Sequence, residues 1–242
     1  MSHYLHIKKI ICKILTCWMP KKLRIIAREF LFWFTFEDYK RFKNANYHIV
    51  SLGTNCLPRV LTTAIKLKPR RFYGEKSCTF DLSVNKDLKK ITHLIENDFK
   101  DFFNNIIVNK ENFPHDYKLS HKNFVIRYQN RIKNFINIMQ SDKIIYFIHS
   151  DYTKVPAKND ILNLYRVLEN KRNGKLFKLI ILTSEFIEGL QENIIQIPEN
   201  FTPDNAAGGV YLIDEYKEFD NKYTKFREIM KNKLNKTLNL YY

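Results

Sequence analysis

Two uninterrupted apolar runs constrain this chain most: KIIYFIHS at 143–150 and FKLIILTS at 177–184. Neither alternates apolar with polar residues. Both faces of each strand are therefore expected to be buried, as in the interior of a parallel sheet. YHIVSLG at 47–53 and IIQIPE at 194–199 read as two further strands. Helical spacing fills the gaps, over roughly 55–67, 87–104, 124–140 and 158–171. Thr54 or Asn55 serves as the cap of the first of these helices. The last long segment, DEYKEFDNKYTKFREIMKNKLNKTL, puts Tyr216, Phe219, Tyr223, Phe226 and Ile229 on one helical face. Strands alternating with helices predict an α/β fold, with three layers and a mainly parallel central sheet of about four to five strands. Right-handed crossovers send every strand's C-terminal end to one edge, where ligands bind near a topological switch point. Ser51–Cys56, His149–Asp151 and Thr183–Glu185 are expected together there.

Charge divides the chain. The 242 residues carry a net +16, from 41 Lys+Arg against 25 Asp+Glu. Residues 1–45 hold ten basic and three acidic residues, so +7 sits in that segment and +9 in all the rest. YLHIKKIICKILTCWM (4–19) has helical apolar spacing with a basic opposite face, and Pro20 ends it. KKLRIIAREFLFWFTF repeats the pattern with a dense aromatic end. No stretch reaches the roughly 18 apolar residues of a spanning helix. Lys13 interrupts any signal-peptide core, and no small-residue cleavage site follows. We therefore read 1–45 as a basic amphipathic helical leader and 46–242 as a single α/β domain. Two readings of the leader stand: residues 4–36 lie on an anionic membrane surface, or they pack on the domain and solvate their lysines. Nucleic acid is disfavoured, because no helix-turn-helix, zinc-finger or RNP pattern is present.

The four cysteines, Cys12, Cys17, Cys56 and Cys78, form no CxxC pair and have no zinc spacing with histidine. No metal site is expected, and unpaired thiols fit a reducing cytoplasm. Cys56 follows a strand and the turn Ser51-Leu52-Gly53-Thr54-Asn55, at the first turn of a helix. A helix N-terminus favours the thiolate, and backbone N–H groups at 54–57 can hold an oxyanion. The competing reading is a small buried hydrophobe at a strand–helix junction. A nucleophilic thiol needs a base. His115, in FPHDY beside Asp116, and His149, ending a buried run two residues before Asp151, are the candidates. Asp81, in CTFDLS, reads as an orienting acid or as a cap for the next helix. Arg59, Lys68, Arg70 and Arg71 form a basic cluster suited to an anionic substrate or to CoA phosphates. Dinucleotide and Walker loops are absent.

IVSLGTNCLPRVLTTAIKLKP, GEKSCTFDLSV, FPHDY, and RYQNRIKNFINIM before KIIYFI together resemble a bacterial family labelled papain-like cysteine peptidases and known chiefly as a domain of unknown function. The likeness spans roughly 47–150. Thr79 stands where the family tends to have Pro, and Asn130-Arg131 replaces a double Arg. The resemblance implies Cys56 as nucleophile, His115 as base with His149 the second choice, and Asp81 as an assisting or structural acid. Ser51, Gly53, Thr54 and Asn55 then line the substrate with Arg59, Lys68, Arg70, Arg71, Asp116, Arg127 and Arg131. Family members sit beside surface-polysaccharide biosynthesis proteins, and a related capsule protein resembles an acetyl-CoA-dependent acyltransferase. That points to acyl transfer or deacylation of an anionic glycan or an acylated small molecule, with acetyl-CoA as a donor, in the cytoplasm or at the inner membrane face. Two other classes stay open: a glycosyltransferase-like or sugar-phosphate-binding protein that does not need Cys56, and a non-catalytic membrane-associated scaffold of glycan assembly.

Overall fold

The computed structural model describes residues 18–20, 23, 42, 44–54, 56–69, 75–81, 83–84, 87–151, 154–199 and 221–238, with only the backbone of 221–227. The leader expected over 4–36 lies outside these residues except at isolated positions, as do Asn55, Arg70, Arg71, Tyr216 and Phe219. The chain divides into two units, residues 1–45 with 69–75 and residues 46–68 with 76–242. The sheet and its helices belong to the second unit. None of the described helices is long and apolar enough to cross a membrane.

The expected α/β architecture is present. Four strands, β1 (Tyr47–Ser51), β2 (Ile144–Ser150), β3 (Phe177–Thr183) and β4 (Ile194–Pro198), form one sheet in the order β1-β2-β3-β4. Every pairing is parallel, with Ser51 opposite Ile148, His149 opposite Ile181 and Thr183 opposite Pro198. The strand order is sequential, so the described sheet has no reversal of the kind expected to mark a binding crevice. What it does supply is a common C-terminal edge, where Ser51, His149, Ser150 and Thr183 end their strands.

Among the described residues, five helices cover the two faces: α1 (Leu57–Ala64), α2 (Leu88–Glu96), α3 (His121–Gln140), α4 (Lys158–Arg172) and α5 (Asn221–Leu238). Strand alternation sorts the core. Val50, Ile145, Phe147, Leu179 and Ile181 pack with residues of α2, α3 and α4. Ile49, Tyr146, Ile148, Ile180 and Leu182 pack with Leu57 and Leu61 of α1 and with Met230, Leu234 and Leu238 of α5. The buried stripe of α5 is therefore 230/234/238, with Ile229 at its margin rather than at its centre.

Two helix ends depart from the sequence reading for one reason. After α1, Lys66 takes a left-handed conformation (φ 62), its N–H reaches the Thr63 carbonyl, and Leu67 N–H reaches that of Thr62 at 2.9 Å. After α2, Asp98 does the same (φ 52), its N–H reaching Ile95 and that of Phe99 reaching Leu94 at 2.8 Å. Both are Schellman stops, which glycine normally marks. Without glycine there, the helical pattern in the sequence runs on to 104, whereas α2 stops at Glu96. Phe99, itself at φ 60, is held by ring packing against Phe80, Phe102 and Phe135.

Candidate functional site

The turn between β1 and α1 is tied down onto β2. Leu52 N–H donates to the Ile148 carbonyl at 2.8 Å, and Thr54 donates both its N–H and its Oγ1 hydroxyl to the Ser150 carbonyl at 3.2 Å each. Thr54 N–H is therefore committed, which corrects its expected place in an oxyanion hole. Cys56 itself is the N-cap residue of α1, with no side-chain cap bond, and Pro58 follows in the first turn. Thr54, expected to cap the helix, does not fill that position. Proline is tolerated there because its missing N–H would have had no partner within the helix. Cys56 is buried, 4% exposed.

His149 ends β2 on the neighbouring strand and is fully buried. Its Nδ1 lies 2.7 Å from the Leu52 carbonyl oxygen. A carbonyl only accepts, so Nδ1 carries the proton and Nε2 carries the lone pair. Nε2 is buried and has no hydrogen-bond partner among the described residues. Burial lowers the pKa, and the Leu52 carbonyl and Asp151 only partly oppose it. The ring is therefore neutral at pH 7, with a fixed tautomer and a basic nitrogen that no described protein group occupies. Nε2 does not hydrogen-bond the Cys56 thiol in this structure. The link between the two residues is through the turn: His149 holds Leu52, four residues before Cys56.

His115 differs. It is exposed, and among the described residues it makes no hydrogen bond or ion pair. Its neighbour Asp116 does not orient it. That carboxylate is 1% exposed and accepts from Arg127, from Arg131 (2.6 Å) and from the Tyr128 hydroxyl (3.1 Å). Burial alone would raise the Asp116 pKa, but the two guanidiniums outweigh it and hold the carboxyl below its ordinary value. Burial first, and then Asp116, pushes the Tyr128 phenol up. Arg131 also lies over the Tyr128 ring at 4.6 Å. Tyr128 gave no sign of this role in the sequence, where it reads only as an apolar helix position.

Asp81 is fully buried and is not a helix cap; Asp87 caps α2 by accepting from Lys89 N–H. The Asp81 Oδ1 accepts from Lys68 Nζ at 3.0 Å, Oδ2 accepts from Cys78 N–H at 2.6 Å, and Arg59 Nε stands 3.8 Å from Oδ2. No imidazole is among its partners. Arg59 and Lys68, expected to meet substrate, are themselves buried against this carboxylate.

The structure thus gathers the sequence candidates into three groups. Ser51, Thr54, Cys56 and His149 share the C-terminal edge of β1 and β2. Arg59 and Lys68 meet Asp81, and Arg127 and Arg131 meet Asp116. The first group gains a member the sequence reading missed. Ser150 is 1% exposed, and its hydroxyl, like that of Ser51, has no partner among the described residues. Alternation puts both hydroxyls on the α1 face. The only sequence signal was a polar residue ending an apolar run. A cavity of about 320 Å³ opens elsewhere, beside the N-terminus of α2, bounded by Asp87, Lys90, Asp101, Phe102, Asn105 and Phe113. It contains none of the candidate residues. No cluster of metal-ligating side chains occurs among the described residues.

Compared with known protein families, curated proteins and solved structures, the chain matches none. The family resemblance of the Cys56, Asp81 and His115 segments therefore stands on those residues alone.

Proposed function

We propose that the protein performs cysteine-dependent acyl chemistry, the transfer or hydrolysis of an acyl group, with Cys56 as nucleophile and His149 as base. The observation that carries this reading is the buried, unpartnered Nε2 of a neutral His149 whose other nitrogen grips the turn bearing Cys56. Catalytic hydrogen bonds are often long before substrate binds, so the missing thiol–imidazole bond is compatible with it. In the reaction, Nε2 takes the thiol proton and the sulfur attacks the acyl carbonyl, whose π electrons move to oxygen. Collapse of that adduct forms the thioester and expels the leaving alcohol, thiol or amine, which takes the proton from Nε2. Water or an acceptor hydroxyl then attacks the thioester, gives its proton to Nε2, and the thiol is restored. Acetyl-CoA as donor, an acylated anionic glycan as substrate and the inner membrane face as location follow from the resemblance and belong to the same proposal.

Acyl trapping tests it. After brief exposure to acetyl-CoA or p-nitrophenyl acetate, the full chain should gain one acetyl group by intact mass, mapping to the Cys56 peptide. Cys56→Ala should abolish it and leave thermal unfolding unchanged. Labelling that persists in that variant overturns the proposal.

The hydroxyls of Ser51 and Ser150, on the α1 face of the sheet and without partners among the described residues, favour a second reading, a sugar-phosphate-binding protein that does not use the thiol. In that case Cys56→Ala retains function, and Ser150→Ala does not.

A further inference from the structure

We propose that Asp81 is a positioning residue that braces the Cys56 helix and restrains the ionisation of the thiol, an inference that rests on Cys56 being the nucleophile. The carboxylate is completely buried, and each of its contacts serves α1 or the 78–81 turn: Lys68 at 3.0 Å, the Cys78 N–H at 2.6 Å and Arg59 at 3.8 Å. Arg59 lies three residues after Cys56, one helical turn away, and Lys68 lies just beyond the Schellman stop. One carboxylate therefore holds the helix near both of its ends. It touches neither His115 nor His149, so it orients no base. A buried ion pair contributes little net stability by itself, which leaves the placement of α1 as its evident structural effect.

The electrostatic consequence has a definite sign. Cations beside a thiol favour the thiolate, and an anion opposes it. Among the described residues, the charged or titratable groups at this end are Arg59 and Lys68 on α1 and its exit, Asp81, and His149 and Asp151 at the end of β2. Removing the Asp81 charge, which is linked to the Cys56 helix through Arg59 and Lys68, shifts the thiol titration down. Removing the Lys68 charge shifts it up. An acid that assisted the catalytic base would act in the opposite sense, and a purely structural one would not move the titration.

The test is a pH titration of the full chain labelled with [13Cβ]cysteine, followed by NMR, with the Cys56 signal assigned from Cys56→Ala. Asp81→Asn should lower the Cys56 midpoint, and Lys68→Gln should raise it. A rise or no change in a folded Asp81→Asn protein overturns the proposal. If that variant does not fold, Lys68→Gln decides, and a fall or no change there overturns it. This readout requires no turnover. Full acyl activity in Cys56→Ala would sink the nucleophile reading while the two midpoint shifts still report on Asp81.

Discussion

Arg172 closes the end of the sheet remote from the candidate site, and replacing it should lower stability substantially. The side chain is 1% exposed. Nη1 donates to the carbonyls of Met139 (2.6 Å) and Ser141 (2.8 Å), and Nη2 donates to those of Lys143 and Leu176, both at 3.0 Å. One guanidinium thus joins the end of α3, the entry to β2 and the entry to β3. No carboxylate bonds it among the described residues. Burial lowers its pKa, with distant Asp142 only partly opposing. In Arg172→Met, four acceptors lose a charged donor. At about 1 kcal/mol each, since three are half-buried and regain water, the loss is about 4 kcal/mol. Relief from burying an uncompensated charge returns about 1 kcal/mol. The net destabilisation is about 3 kcal/mol, or a fall in Tm of about 6–12 °C for a domain of this size. Arg172→Lys keeps the charge and loses the planar fork, so it should recover less than half of the difference. Urea and thermal unfolding of the three proteins measure this, and acyl activity well below Tm should be unchanged. A loss under about 1 kcal/mol in Arg172→Met would refute the reasoning, because the four carbonyls would then have found other partners.

Acid should weaken the fold before the carboxylates titrate. His48 is pushed down to about 4 by burial and then by Lys143, Lys68 and Arg172, and buried His149 is also lowered. The unfolded chain protonates both near pH 6.5. Stability is therefore complete above that pH and falls as pH drops toward about 4, with the half-buried His48 contributing about 1–2 kcal/mol after screening; a flat urea midpoint over that range would contradict this. Lys66→Gly should raise stability by about 0.5–1 kcal/mol, because glycine accepts the left-handed backbone without a Cβ clash. An unchanged or lower Tm would show that Lys66 carries no such strain.

The strands were legible because β2 and β3 are buried on both faces, and a continuous apolar run has few other uses. Their observed limits differ from the runs by a residue. The helix ends after 64 and 96 were not legible, because Lys66 and Asp98 stand where glycine would have announced a stop. Among the site residues, Cys56 could be placed at the edge from strand, turn and helix alone. The tautomer of His149 could not, since it depends on the Leu52 carbonyl, 97 positions away in the chain. The partners of Asp81 and Asp116 were equally hidden. Arg59, Lys68, Arg127 and Arg131 read as surface cations suited to substrate, and only the folded chain reveals the buried carboxylates that occupy them. Arg172 looked like an ordinary basic residue ending a helix, and four carbonyls on two connections make it a core residue.

On the proposed mechanism His149, and not His115, is the base for Cys56. The pre-steady-state release of p-nitrophenolate from p-nitrophenyl acetate tests it most directly, in the wild-type protein, His149→Gln and His115→Gln, with unfolding curves as controls. The burst rate should fall about 10²–10⁴-fold in His149→Gln and stay within about twofold in His115→Gln. A burst that survives in His149→Gln and is lost in His115→Gln would contradict it.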